Sequence, residues 1–273
     1  MIFKSRLPAA PYIAWAAAFT LIPLFMVGYF AFTDGGGDFT LVNISDVAKF
    51  GPVFLRSVML GLAATAICLV LAYPFAFIMS RLGAGAQKIM MMLLMLPMWM
   101  NFILRTYALM TLLEKIDALA NALAELVGFG QIQVINTGGA VVCGMVYNYL
   151  PFMILPLYTV MIKIDKSVIE AAQDLGASPG GVILRVVLPL SKPGILSGIT
   201  MVFVPSVSTF VISRMLGGGA NFLVGDLIEQ LVLGTTYNLQ LGSAISFILM
   251  LFILLSMAFL NQFDADETEG MIV

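Results

Sequence analysis

Apolar residues run along this chain in blocks far longer than a strand or a globular core helix needs, with polar residues gathered between them. A helix that crosses a bilayer needs about 20 consecutive, mostly apolar residues. Six runs qualify: residues 7–33, 57–80, 89–113, 137–162, 184–213 and 239–263. Lys4 and Arg6 precede the first run as they would in a signal peptide, but its apolar block is far too long for a cleavable one. Pro189, Pro193 and Pro205 predict a bend or interruption in the fifth. Thr33–Pro52, Glu114–Asn136 and Leu216–Asn238 connect the runs on one side, and their glycine triplets at 35–37 and 217–219 predict flexible turns.

Composition agrees with this pattern. The chain is 61% hydrophobic and only 10% charged, where a soluble domain has about half and about a quarter. The expected fold class is therefore an all-α integral membrane protein. Its six transmembrane helices form a single domain over residues 1–263, followed by an acidic tail, 264–273, that reads as a solvated, disordered end. Lysines and arginines set the orientation, because they accumulate in cytoplasmic loops. Lys4, Arg6, Arg81, Lys88, Lys163, Lys166, Arg185 and Lys192 fall on one side. The other side holds Lys49 and Lys115, with Arg56 and Arg214 at span edges. Both termini are thus expected to be cytoplasmic.

The longest connection on that side, residues 163–192, carries the clearest punctuation. Ser167, with Glu170 three residues later, predicts a capping box. Gly176 supplies the left-handed stop, so a helix of about two turns is expected between them. Ser178-Pro179 starts the next helix as N-cap and first residue, and Pro189 and Pro193 mark the return to the membrane. By local physics alone this is a well-capped surface helix.

The order of Glu170, Ala171, Ala172, Gly176, Val186, Leu188 and Pro189 closely resembles the EAA signature of permease subunits of binding-protein-dependent ABC importers. Val186 stands where isoleucine is usual. Leu71–Ala76, Leu96–Trp99, Leu104–Ala108, Leu150–Met153 and Leu216–Gly219 resemble the spermidine/putrescine branch of that family, in its first permease subunit type. The resemblance implies a MetI-like permease fold in a bacterial inner membrane, with a cytoplasmic coupling helix between spans four and five. It implies that Glu170, Ala171, Ala172, Asp174 and Gly176 contact a cytoplasmic ATPase, the small residues by close packing and the acidic ones at the rim. The implied partners are a homologous second permease subunit, a dimer of that ATPase with its ATP and magnesium, and an extracytoplasmic substrate-binding protein. No cofactor or metal is expected on this chain, and its surroundings are lipid, not nucleic acid.

Polar and aromatic residues at membrane depth commonly face a pathway or the bundle interior. Trp99, Asn101, Tyr107, Tyr147 and Asn148 are the candidates, with Asp226 and Glu229 as the nearest carboxylates for a polyamine. The rings equally suit an interfacial belt, and the two asparagines equally suit helix–helix hydrogen bonds. Arg105 would repel a polycation and is expected in a structural or gating ion pair with Glu114, Asp226 or a partner carboxylate. Gly194 and Gly198 form a small-xxx-small step for close helix approach.

Other functions fit less well. The absence of histidine removes imidazole ligands and relays, and Cys68 and Cys143 read as small core residues. A secondary transporter calls for coupling-ion carboxylates at depth and inverted repeats, and an intramembrane enzyme calls for an acid–base pair. The span cores hold no acidic residue, and no GxxxxGK[ST] motif occurs anywhere. The expected function is half of the translocation pathway of an ATP-driven polyamine importer, alternatively one for another small solute, with no catalysis by this chain.

Overall fold

The computed structural model describes residues 10–127, 130–131, 133–219, 221–234 and 236–270. Lys4, Arg6 and the start of the first expected span lie outside them, as do the last three residues of the tail. The described residues are almost entirely helical. The elements are α1 (Ala10–Ala31), α2 (Val42–Val47), α3 (Gly51–Arg81), α4 (Ala84–Met95), α5 (Phe102–Val127) and α6 (Gly138–Met161). They continue with α7 (Lys166–Asp174), α8 (Pro179–Val182), α9 (Leu188–Ser208), α10 (Val211–Leu216), α11 (Val224–Leu233) and α12 (Leu239–Gly270).

Five continuous helical stretches are long and apolar enough to cross a bilayer: Pro11–Ala31, Val42–Arg81, Gly138–Met161, Pro179–Ser208 and Leu239–Leu260. A bent pair, Ala84–Trp99 with Phe102–Glu125 at 91° to each other, makes a sixth crossing if the two are taken as one span. The expected straight span over 89–113 is thus broken in its middle. Leu96–Trp99 form a 3-10 turn, and Met100 is extended. Asn101 then starts a new helix, accepting from the backbone N–H groups of Ile103 (2.9 Å) and Leu104 (3.4 Å). That is an N-cap, and it competes directly with continuing the preceding helix.

The fifth span behaves the opposite way. Pro189 lacks an N–H and its ring crowds the carbonyl four residues back, at Arg185. A single π turn at Ile183–Val187 widens the helix at that point. The chain therefore stays helical from Pro179 to Ser208, with no interruption at Pro189 or Pro193. The break comes at Thr209, which is extended, four residues after Pro205. The acidic end also differs from expectation. Between Gly242 and Gly270 there is no glycine or proline to stop α12, so its backbone remains helical through Asp264 and on to Gly270.

By contacts the chain divides into two compact units, Met1–Pro52 with Leu227–Leu254, and Val53–Asp226 with Leu255–Val273. In the first, Asp34 accepts from the N–H groups of Gly36 and Asp38 (2.9 and 3.0 Å), and Gly37 takes φ +90°. The turn that results brings Thr33 and Phe39 into a bridge and stacks Phe39 on Phe32, whose edge also meets Phe247. The large side chains of α1, among them Tyr12, Trp15, Phe19 and Phe25, remain exposed around the helix.

The second unit holds the main core. Ala64, Cys68, Ala72 and Ala76 recur every four residues on α3, which puts them in one stripe of small side chains. Met145, Met153, Leu157 and Met161 of α6 fill the same core. Lipid is as apolar as these side chains, so close packing rather than water exclusion holds such helices together. Gly194 and Gly198 show how close: a Cβ on Gly194 would sit 2.9 Å from the Pro156 carbonyl oxygen, and one on Gly198 would sit 2.6 Å from the Met153 sulfur. The predicted small-residue step thus seats α9 against α6. Cys68 is buried as expected, but Cys143 is exposed. It lies one position, about 100° of helix rotation, away from buried Gly144.

Candidate functional site

The connection from α6 to α9 builds the first candidate site. Asp165, extended at φ −62° and ψ 140°, caps α7 by accepting from the Ser167 N–H at 3.0 Å. The expected capping box from Ser167 and Glu170 does not form, because the helix has already begun at Lys166. Hydrogen bonds from Ser167 hold the Asp165 carboxyl below the usual carboxylate range, so the cap is charged at neutral pH. Nine residues give α7 a length of about 14 Å.

At the far end Gly176 takes φ +85°. Its N–H donates to Gln173 O (2.8 Å) and the Ala177 N–H donates to Ala172 O (3.0 Å). This is the Schellman termination, which needs a left-handed residue at that position. Ser178 then caps α8, accepting from the Gly181 N–H at 3.2 Å, with Pro179 as first helical residue. Both ends of α7 are therefore fixed by bonds within the loop itself.

The helix has two different faces. Ile169 and Ala172 pack inward on Ile164, Val182 and Val187, with Phe77 of α3 and Ala177. Glu170, Ala171, Asp174 and Gly176 are exposed, and nothing lies within 4 Å of a Cβ placed on Gly176. Of the five residues expected at an ATPase contact, four face out and Ala172 faces in. Two apolar side chains join the outer face: Val168 is 43% exposed and Leu175 is 89% exposed. The motif did not single them out, although their seven-residue spacing marks one helix stripe. Apolar groups left this exposed beside small residues form a surface suited to a partner.

The residues considered for a substrate path separate into distinct groups. Trp99 is 82% exposed at the break in the third crossing, and Asn101 is the cap described above. Tyr107 and Tyr147 are about half exposed. Asn148 is fully buried and donates to Gly144 O (2.9 Å) and to Thr106 Oγ1 (3.3 Å), which ties α6 to α5. Arg105 is only 5% exposed. Its guanidinium donates to Pro97 O at 3.1 Å and lies over the rings of Phe102 (5.9 Å) and Tyr147 (6.0 Å).

The ion pair expected for Arg105 is not made with Glu114 or Asp226. Glu114 lies nine residues along α5, which turns it to the opposite, exposed face. Asp226 is 2% exposed and accepts from Ser213 Oγ (2.5 Å) and from the Leu223 N–H (3.0 Å). Leu223 precedes α11 and Asp226 is its third residue, so this is the return half of a capping box. Glu229, about a turn further on, is half-buried. Asp226→Ala should therefore lower the stability of the purified protein by about 1 to 3 kcal/mol, the usual cost of orphaning buried donors. A shift in thermal unfolding with an unchanged KM for uptake is the expected pair of results. An unchanged unfolding temperature with a raised KM would place Asp226 in the pathway instead.

The glycine triplet at 217–219 is a packed turn rather than a flexible one. Gly218 and Gly219 take φ +48° and +39°, and a Cβ on Gly218 would collide with Asn136. The Asn221 side chain donates to Gly217 O (2.9 Å) and Asn136 O (3.1 Å), locking that corner.

Residues 37–266 match the family described as binding-protein-dependent transport system inner membrane component. The chain is 36% identical over 252 residues to the spermidine/putrescine transport system permease protein PotB of Haemophilus influenzae, covering 88% of this chain and 87% of that protein. It is 35% identical over 226 residues to PotB of Escherichia coli, covering 80% and 82%. In fold it is similar to a chain of a bacterial alginate ABC transporter crystallised with an alginate pentasaccharide-bound periplasmic protein. That likeness has a TM-score of 0.69 at 15% identity and covers 96% of both chains.

Proposed function

The chain belongs to the family of binding-protein-dependent transport system inner membrane components, and we propose that it forms half of the translocation pathway of an ATP-driven polyamine importer. It is a multi-pass, non-catalytic permease subunit of the inner membrane, and its system works with a substrate-binding protein. The observation that carries the mechanism is α7, a short helix fixed at both ends that turns Val168, Ala171 and Leu175 away from its own core. In our reading this face enters a cytoplasmic ATPase, and ATP with magnesium binds there rather than on this chain. Closure of the ATPase pushes α7, and the helices joined to it change their packing. A second, homologous permease completes the pathway. Lysine and arginine in the loops beside α7 support its cytoplasmic placement, with both termini on that side.

Spermidine or putrescine is the proposed substrate. Identity at the level of a third or more over four-fifths of the chain to two PotB proteins supports it. Within the chain, the exposed rings of Trp99, Tyr107 and Tyr147 suit the passage of ammonium groups by cation–π contact. Asn148, Asp226 and Arg105 already have internal partners, so we assign them to scaffold rather than to cargo.

The test is purification of the chain from its native membrane in mild detergent, followed by reconstitution and uptake of radiolabelled spermidine and putrescine. The expected result is co-purification of an ATPase and a second permease, with ATP-dependent uptake when the binding protein is supplied. Recovery of the chain alone would overturn the importer assembly. An intact assembly that imports neither polyamine would move the substrate to another small solute.

A further inference from the structure

The coupling loop touches α3 at its entrance, its middle and its exit, through one face of that helix. Tyr73, Phe77 and Arg81 follow one another at intervals of four residues, so their side chains line up. At the entrance, Arg81 Nη1 donates to Ile164 O at 3.1 Å. In the middle, Phe77 packs into the cluster of Ile164, Val182 and Val187 that also holds the inner face of α7, and the Arg81 guanidinium lies 5.5 Å from its ring centre. At the exit, the Tyr73 hydroxyl meets Ser191 Oγ at 3.1 Å. Ser191 spends its one proton on Leu188 O (3.1 Å), so Tyr73 is the donor in that pair. Ser191 itself is fully buried, immediately after the π turn and Pro189.

We propose that this face of α3 is the receiver of the coupling motion, with Tyr73, Phe77 and Arg81 as positioning residues that carry displacement of the loop into the second span. A polar tie at each end and an apolar contact between them resist both sliding and tilting. A hinge held at one end alone would let α7 swing without moving α3. The ties lie in packed surroundings, where a displacement at one side is transmitted rather than absorbed. This rests on α7 being the ATPase contact, and it adds which span responds and through which side chains.

The experiment uses the full importer in proteoliposomes with its binding protein, reading spermidine imported per ATP hydrolysed. Arg81→Met keeps the stem but removes the charge and its hydrogen bond, and should lower that ratio about tenfold. Tyr73→Phe removes one hydroxyl and should lower it about fivefold. Arg81→Lys should recover part of the loss. Hydrolysis rate and co-purified ATPase should stay near wild type in all three, which is how lost transmission differs from lost folding. An unchanged ratio overturns the proposal, and so does a parallel fall of uptake, hydrolysis and bound ATPase. If the wild-type assembly hydrolyses ATP but imports no polyamine, the substrate assignment fails on its own. The receiver is then read from nucleotide-dependent thiol labelling of Ile78→Cys on the exposed side of α3, in a chain whose exposed Cys143 is replaced by serine. Loss of that nucleotide dependence in Arg81→Met supports the proposal, and its retention overturns it. A wild-type chain that binds no ATPase removes the coupling helix and the receiver together.

Discussion

Gly176→Trp should abolish uptake while leaving the chain inserted in the membrane at normal level. Two effects combine at this residue. Its φ of +85° is open to glycine, and an L side chain there costs about 1 to 2 kcal/mol. That strain weakens the Schellman bonds from Gly176 and Ala177 that end α7. The larger effect is outside the chain. A Cβ on Gly176 meets nothing within 4 Å, so the indole would stand free on the face beside Leu175 and Ala171. A partner fitted to a glycine there would be held off, at a cost of more than about 2 kcal/mol, or more than about 30-fold in binding. Gly176→Ala isolates the first effect and should reduce uptake only about fivefold. Immunoblotting fixes the amount of chain, and spermidine uptake in membrane vesicles gives the activity. Wild-type uptake by the tryptophan variant at equal expression would remove α7 from the coupling path.

The second large effect is expected from Gly194→Ala, and here the loss is in folding. The added Cβ would lie 2.9 Å from the Pro156 carbonyl oxygen and 3.1 to 3.2 Å from Val160. The nearest atom is backbone within α6, so relief requires the two helices to move apart. Overpacking of this kind costs about 1 to 3 kcal/mol, and without a hydrophobic drive between helices in lipid, little offsets it. Gly198→Ala makes a shorter nominal contact, 2.6 Å, but with the flexible end of Met153. It should be the milder of the two despite the smaller distance. Gly180→Ala, with open space around it, is the control. Thermal unfolding in detergent should rank them Gly194 below Gly198, and Gly198 below Gly180. The reverse order of the first two would mean that α9 and α6 meet differently.

These two sites belong to one mechanical route. The chain is helical without a gap from Pro179, through the π turn, into α9. Its glycines then lock α9 to α6 over Met153, Pro156 and Val160. On the proposed coupling role, a displacement begun at α7 would also reach helices whose contacts are too tight to absorb it. The break of the third crossing at Met100 and Asn101 exposes Trp99 and Tyr107, while Arg105 and Phe102 just beyond it keep contact with Tyr147 and Tyr149 of α6.

Much of this was legible in the order of residues. Lipid offers no partner to backbone polar groups, so apolar runs of sufficient length must be helices, and an all-helical membrane protein follows. The EAA-like spacing placed α7, and Gly176 could be read as its end because only a left-handed stop explains a glycine between two helix starts. The step from Gly194 to Gly198 announced a close helix contact in the same way. All of these are local signals, carried by neighbours within one or two turns.

What only the tertiary structure decided is which face of each helix meets which neighbour. In water a polar face marks the outside, whereas in a bilayer both faces are apolar and the pattern is silent. That is why Cys143, expected inside, lies outside. Competition between equivalent local options was settled the same way. Ser167 suits an N-cap by residue type, but α7 begins at Lys166 and Asp165 caps it. Arg105 and Asp226 carry opposite charges, yet each finds partners close to home, Pro97 O and two rings in one case and Ser213 and Leu223 among those in the other. Charge alone offers Asp226 as one partner for Arg105; the placement of α5, α6, α10 and α11 determines that the two are not a pair.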